Sequence, residues 1–387
     1  MSELFFKDAN IYQNGSFFRG NLLCRNGVIA EIGPGVQNID HVPERDCGGK
    51  MLVPGFIDLH THGGAGVDVN AADQAGIEKI ATFFASQGTT GWLASVLTDN
   101  EEQTLWCIDQ LTGYMNKTPT GAALLGIHLE GPFLAPQYKG AMPEHLLQKG
   151  NTPLAMRYLD AAHGAVRYIT VSPELAGVAQ MIGEISDRVT VAIGHSGATY
   201  EEAMDCIRSG ASASTHTFNA MRLLHQHEPA IMGAVIESDD VYCEAICDGR
   251  HLHPGTVRFL LKCKGLDRVV AVTDSIMAAG LPDGNYKLGV NDVVVSDGDA
   301  KLANGGARAG STLTTGQALR NLVRFTGRPV TELLPLLTIN PARLIKMDKT
   351  KGTIERGKDA DLVLLDGELR VTATFVGGRQ VYDEACC

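Results

Sequence analysis

Two textures alternate along the chain. The first fifty residues and the last forty break into short runs of alternating apolar and polar positions. At one end these are "LFFKDANIY" and "GSFFRGNLLCRNGVIAEIGPG", at the other "GTIERGKDADLVLLDGELRVTATFVGGRQVY". Period-two alternation with Asn-Gly at 14–15 and 26–27 predicts β-hairpins. The middle has another rhythm. Eight strand-like runs recur: "MLVPGFIDLH", "GTTGWLASV", "ALLGIHLE", "VRYITVSP", "VTVAIGHS", "ASASTHTF", "VYCEAICD" and "RVVAVTDS". Amphipathic stretches such as "DQAGIEKIATFFASQG" and "EEAMDCIRSG" lie between several of them. Strands alternating with helices predict an α/β fold, a (β/α)8 TIM-like barrel. The economical layout joins residues 1–53 and 345–387 into a small β-sandwich domain made by both termini. It leaves residues 54–344 to the barrel. Segment 284–306, "GNYKLGVNDVVVSDGDAKLANGG", breaks the rhythm and predicts a hairpin inserted after the eighth strand.

Barrels of this kind build their sites at the C-terminal ends of the strands. The first run ends in His60-Thr61-His62 and dissolves into glycine. As a strand it puts Phe56, Asp58, His60 and His62 on one face, with the two histidines roughly 7 Å apart at Cα. Glu130 ends the third run, His195 the fifth, and Asp274 the eighth, while the sixth carries His216. Four imidazoles and two carboxylates thus meet at one rim. Such donors suit zinc, iron, manganese or cobalt. One or two ions can share the set, with Glu130 and a water as bridges. A water acidified there is a nucleophile near neutral pH. Asp274, at the end of the last strand, is the candidate to take its proton and return it to a leaving group. The pattern points to a metal-dependent hydrolase. His128, two residues before Glu130, is expected to support the ligands from behind. His225, His227, His251 and His253 are candidates for substrate contact.

Composition narrows the partners. The 387 residues are 44% hydrophobic and 20% charged, and carry 33 basic against 44 acidic side chains, a net charge of −11. Without a long basic run, nucleic acid is not expected as a partner. No apolar stretch reaches the roughly 18–20 residues of a membrane span, and the N-terminus lacks the pattern of a signal peptide. The nine cysteines are scattered, which predicts reduced, buried thiols in a cytoplasm rather than disulfides or a zinc knuckle.

In chain order the sequence carries "PGFIDLHTHGGAG", "HLEGPF", "KGAMP", "IGHSGAT", "THTFNAM", "ICDGRHLHP", "VTDSIMAAGL", "AGSTLT" and "NPARLI…GTIERGKDADLVLLD". Together these resemble the N-acetylglucosamine-6-phosphate deacetylase family of the amidohydrolase superfamily. The resemblance implies hydrolysis of the N-acetyl group of N-acetylglucosamine 6-phosphate, releasing glucosamine 6-phosphate and acetate. It implies Glu130, His195 and His216 as principal metal ligands, a second metal site where His60 and His62 are kept, and Asp274 as catalytic acid and base. By motif it places Ala141, Met142, Asn219, Ala220, His227, Gly249, Arg250, His251, Ala307 and Arg308 at the substrate. It also implies a homodimer, with a phosphate contact crossing the interface.

Two positions depart from the family pattern. Met142 stands where His or Gln is frequent, and a thioether cannot donate a hydrogen bond. His227, in "HQHEP", stands where an arginine usually grips the phosphate. Arg308 and Arg222 are the candidates to restore that charge. Open alternatives are N-acetylgalactosamine 6-phosphate and a non-phosphorylated N-acyl amino sugar or amino acid as substrate. A non-catalytic scaffold is disfavoured, because all the ligands and Asp274 are present.

Overall fold

The computed structural model describes residues 3–386; Met1, Ser2 and Cys387, assigned from sequence to the terminal β-unit, lie outside the described residues. Among the described residues, eight parallel strands are hydrogen-bonded in chain order: Phe56–Asp58, Thr89–Leu97, Ala123–Glu130, Val166–Val171, Thr190–Ile193, Ala211–Ser214, Tyr242–Ile246 and Val269–Val272. All eight predicted runs are therefore strands. The ring closes just past the ends of the first and last. Asp274 N donates to His60 O at 2.8 Å, and Thr61 and Ser275 form a parallel bridge. Below them the Thr273 hydroxyl donates to buried Asp58 at 2.6 Å. Burial pushes the Asp58 carboxyl up to about 6 despite that bond. This is the (β/α)8 barrel expected.

Helices follow the strands and cover them for the reason the spacing gives. In Gln74–Ser86, Ile77, Ile80, Ala81 and Phe84 recur at helical period and are buried. Phe84 meets Trp92 of the second strand edge-on at 5.1 Å. Asp73 caps the helix by accepting from Gly76 N. Thr199 and Glu202 form a capping box on Tyr200–Arg208.

The terminal strands make one hydrogen-bonded set, with 362–365, 371–376 and 379–383 from the C-terminal end and 3–13, 16–25, 28–33, 44–46 and 51–54 from the N-terminal end. Both Asn-Gly pairs turn hairpins with φ positive at each residue, 50° and 78° at 14–15 and 53° and 82° at 26–27. Phe6 and Phe375, from opposite ends of the chain, pack edge-on at 4.7 Å. Met51–Pro54 pairs with Asn10–Ile11 on one side and with Leu362–Leu365 on the other. Gly55 then passes the chain into the barrel. A Cβ there would lie 2.0 Å from Thr90 Oγ1.

The insertion after the eighth strand is a three-stranded antiparallel sheet, Gly284–Leu288, Asn291–Ser296 and Asp299–Leu302, one strand more than the expected hairpin. Asp297-Gly298, with φ of 52° and 72°, folds the third strand back.

Candidate metal centre and substrate cavity

The strand ends bring all six rim side chains together. Glu130 Oε1 lies 3.0 Å from His195 Nε2 and 3.3 Å from His216 Nε2, while its Oε2 lies 3.2 Å from His62 Nε2. His62 Nε2 is also 3.2 Å from Asp274 Oδ1 and 3.2 Å from His60 Nε2. Two buried groups of donors result: Glu130, His195 and His216, and beside them His60, His62 and Asp274. His195, His216 and Asp274 have φ of 47°, 29° and 49°. Non-glycine residues rarely adopt that region, and such conformations cluster at functional sites.

The outer hydrogen bonds decide which ring nitrogen faces inward. His62 Nδ1 meets the carbonyl of Ser95 at 3.1 Å, and His195 Nδ1 the carbonyl of Tyr138 at 2.7 Å. His60 Nδ1 meets Glu244 Oε2 at 3.0 Å. A carbonyl only accepts, so Nδ1 carries the proton and Nε2 is a bare lone pair. His60 and His62 then aim lone pairs at one another across 3.2 Å, which two neutral rings in this tautomer cannot satisfy. A shared cation satisfies it. The charges agree. Burial disfavours charge on His60, but Glu130, Glu244 and Asp274 outweigh it and hold its pKa well above that of free histidine. Burial opposes ionisation of Glu130, but His60, His195 and His216 hold it well below the carboxylate range. The donor set fits one or two divalent metal ions.

His128 sits behind the ligands, as expected. Ser95 Oγ and Thr170 Oγ1 satisfy its two nitrogens at 2.8 Å each, and its ring meets that of His60 at 4.6 Å. Burial, reinforced by the neighbouring His60, keeps its pKa well below the usual value.

A cavity of about 330 Å³ opens onto these groups. Of the predicted substrate residues, Ala141, Met142, Asn219, Ala220, His251, Ala307 and Arg308 line it. Gly249 and Arg250 line a different cavity, with Arg258 and Arg324. His227 and Arg222 line a third, with Tyr200 and Glu228, and Arg222 is paired with Glu228. Among the described residues, Arg308 is therefore the arginine that lines the metal cavity, and Arg222 and His227 do not line it. His253 caps the helix Pro254–Lys264 by accepting from Gly255 N, and His225 is exposed. Sequence reasoning missed Glu244, Tyr138, Gln137 and Asp299. Glu244 left one legible signal, an acidic residue inside the apolar run "VYCEAICD". Tyr138 acts through its backbone and left none.

A (β/α)8 barrel with paired carboxylate and imidazole groups at its strand ends defines a class, and the chain belongs to the amidohydrolase family: the profile of that description matches residues 51–381. That superfamily uses divalent metal. The motifs read from the sequence find their counterpart in more similar relatives. N-acetylgalactosamine-6-phosphate deacetylase of Escherichia coli O157:H7 is 34% identical over 359 residues, 92% of this chain and 93% of that protein. N-acetylglucosamine-6-phosphate deacetylase of Homo sapiens is 34% identical over 394 residues, 97% of this chain and 95% of that protein. Among solved structures, a mutant N-acetyl-D-glucosamine-6-phosphate deacetylase from Mycobacterium smegmatis, in complex with N-acetyl-D-glucosamine-6-phosphate, matches with a TM-score of 0.91 at 31% identity, covering 98% of this chain and 100% of that one. The resemblance to the N-acetylglucosamine-6-phosphate deacetylase family thus extends over the fold. Among the described residues, no helix is long and apolar enough to cross a membrane.

Proposed function

We propose that this chain hydrolyses the N-acetyl group of N-acetylglucosamine 6-phosphate, giving glucosamine 6-phosphate and acetate. One observation carries the reading: a single cavity is lined by Glu130, His195 and His216, by His62 and Asp274 of the second donor group, and by an arginine. Glu130, His195 and His216 would hold one divalent ion, and His60, His62 and Asp274 a second; such ions would supply Lewis acidity toward the amide carbonyl and toward a water. Asp274 takes the proton of the attacking water as the C–O bond forms. It delivers that proton to the amine nitrogen as the C–N bond breaks. Met142 cannot donate to the carbonyl oxygen, so no side chain at that position helps to polarise it. Asn219, Ala220 and His251 contact the sugar, and Asp248, 2.7 Å from His251 Nδ1, fixes that ring. Arg308 holds the phosphate.

Zinc is the metal we place first, then iron, manganese or cobalt, because imidazole and carboxylate donors suit all four. We propose a homodimer in a cytoplasm. Leu223 and Leu224, exposed at 80% and 54%, support an interface, and the eight described cysteines, all free, support a reducing compartment. Gly249, Arg250 and His227 lie in two other cavities, and their substrate role is proposed through that interface.

The test is acetate release across N-acetylglucosamine 6-phosphate, N-acetylgalactosamine 6-phosphate and the two plain sugars, with metal analysis of the same sample. The phosphorylated gluco epimer should be preferred over its plain counterpart by roughly tenfold or more, the factor that 1.4 kcal/mol carries. Release from none of the four would overturn the reading. A second reading, preference for the galacto epimer, is favoured by the Escherichia coli relative, and the same panel separates the two.

A further inference from the structure

Glu244 stands in the seventh strand, Tyr242–Ile246, and is wholly buried. Its Oε2 lies 3.0 Å from His60 Nδ1 and accepts the backbone N–H of His216 at 2.9 Å. One carboxylate oxygen therefore touches a member of each donor group. Its own carbonyl accepts from Thr217 N at 2.9 Å, which pins the same turn from the other side. Its Oε1 lies buried near the buried hydroxyl of Tyr168. Burial, and after it the charge of Glu244 and a hydrogen bond to it, pushes the Tyr168 phenol well above its usual pKa, so that hydroxyl is a neutral donor to the carboxylate. No lysine or arginine among the described residues pairs with Glu244; its ion-pair contact is His60. An anion this deep needs a compensating cation.

We propose that Glu244 is the positioning residue that makes the His60–His62 pair a metal site. It holds His60 with Nδ1 protonated and Nε2 bare, and it supplies negative charge that a second divalent ion compensates. This rests on the metal-dependent reading above. The carboxylate does not touch the substrate cavity, and it acts through the His60 ring. Partners behind metal-bound histidines typically govern affinity by about 10–100-fold.

The experiment uses the full chain with zinc as the probe. Zinc content and affinity are measured by plasma mass spectrometry and competitive chelator titration, with circular dichroism to check folding. Wild type should bind two ions. Glu244→Gln keeps an oxygen for the two donors but removes the charge, and Glu244→Leu removes both. In each, the ion at Glu130, His195 and His216 should remain, while the other is weakened about 10–100-fold. Should the leucine variant fail to fold, the glutamine variant carries the test. Adding Glu244→Gln to His60→Ala should cost no zinc beyond the loss in His60→Ala alone, because the effect passes through that ring. A glutamine variant that binds both ions as wild type does would overturn the proposal. So would an additive loss in the double variant, or equal weakening of both ions, each of which marks a general structural role. A wild type that binds no zinc, iron, manganese or cobalt would remove the metal reading itself.

Discussion

Arg308 forks onto Asp299 at the wall of the metal cavity, Nε to Oδ1 at 3.0 Å and an Nη to Oδ2 at 3.3 Å. Lys301 reaches the same carboxylate at 3.0 Å. One carboxylate thus lies between two cations, and of the three side chains it is Arg308 that lines the cavity. A phosphate meeting Arg308 gains charge-assisted hydrogen bonds that neutral sugars do not. Arg308→Ala should cost the phosphorylated substrate about 1.5–3 kcal/mol in kcat/KM, the range for hydrogen bonds to charged groups, and leave the plain sugar nearly unchanged. Steady-state kinetics on both substrates checks it. Equal losses on the two would assign Arg308 to the shape of the wall rather than to the phosphate. Arg222→Ala, whose partner Glu228 lies outside this cavity, is the control expected to have the smaller effect.

Asp274→Asn preserves shape but cannot cycle a proton. Turnover should fall about 10²–10⁴-fold, the usual weight of general acid–base catalysis, while the protein still folds. Single-turnover acetate release by metal-loaded variant and wild type measures this. A variant retaining more than roughly a tenth of the wild-type rate would require a different proton shuttle.

Replacing His60 and His62 together by Ala should lower metal content from two ions to one and reduce activity. Glu130, His195 and His216 remain as a complete three-residue group. Chelation of wild type should abolish activity, and added zinc should restore it. Unchanged stoichiometry in the double variant would return the first-strand histidines to a structural role.

Lys351 is buried between Asp359 at 2.8 Å and Asp361 at 2.5 Å. Burial lowers its pKa, but the two carboxylates outweigh it and hold the pKa above the ordinary 10.5. A raised folded-state pKa contributes stability that is fully present below the unfolded value and lost only as pH climbs through the folded one. Lys351→Met leaves Asp361 uncompensated and should cost about 3–5 kcal/mol. That deficit should be flat between about pH 6 and pH 9, both below the unfolded value. Urea denaturation at both pH values measures it. A loss under about 1 kcal/mol, the scale of an exposed pair, would refute the burial argument.

The barrel was legible because each strand is a short apolar run ending in a polar rim, and because period-two and period-3.6 stretches alternate. The six rim residues were legible for the same reason, since position at a strand end is a sequence property. Glu244 was not read, although visible, because its importance comes from lying across the barrel from His60, 184 positions away. The backbone carbonyls of Ser95 and Tyr138, which set the ring orientations of His62 and His195, carry no side-chain signature at all. Loop residues fared worst. Arg222 and Arg308 looked equivalent as charges in the sequence, yet the paths of their loops send one to each of two separate cavities.

The strand that carries His60 and His62 toward the barrel begins in the other sheet. Met51 and Leu52 are paired with Leu365 and Leu364, and Gly55 N donates to the carbonyl of Asp361. The segment leading to the first-strand histidines is thus braced by residues that follow the whole barrel in the chain. A nascent chain stalled before residue 361 would therefore have His60 and His62 without the brace that holds their strand.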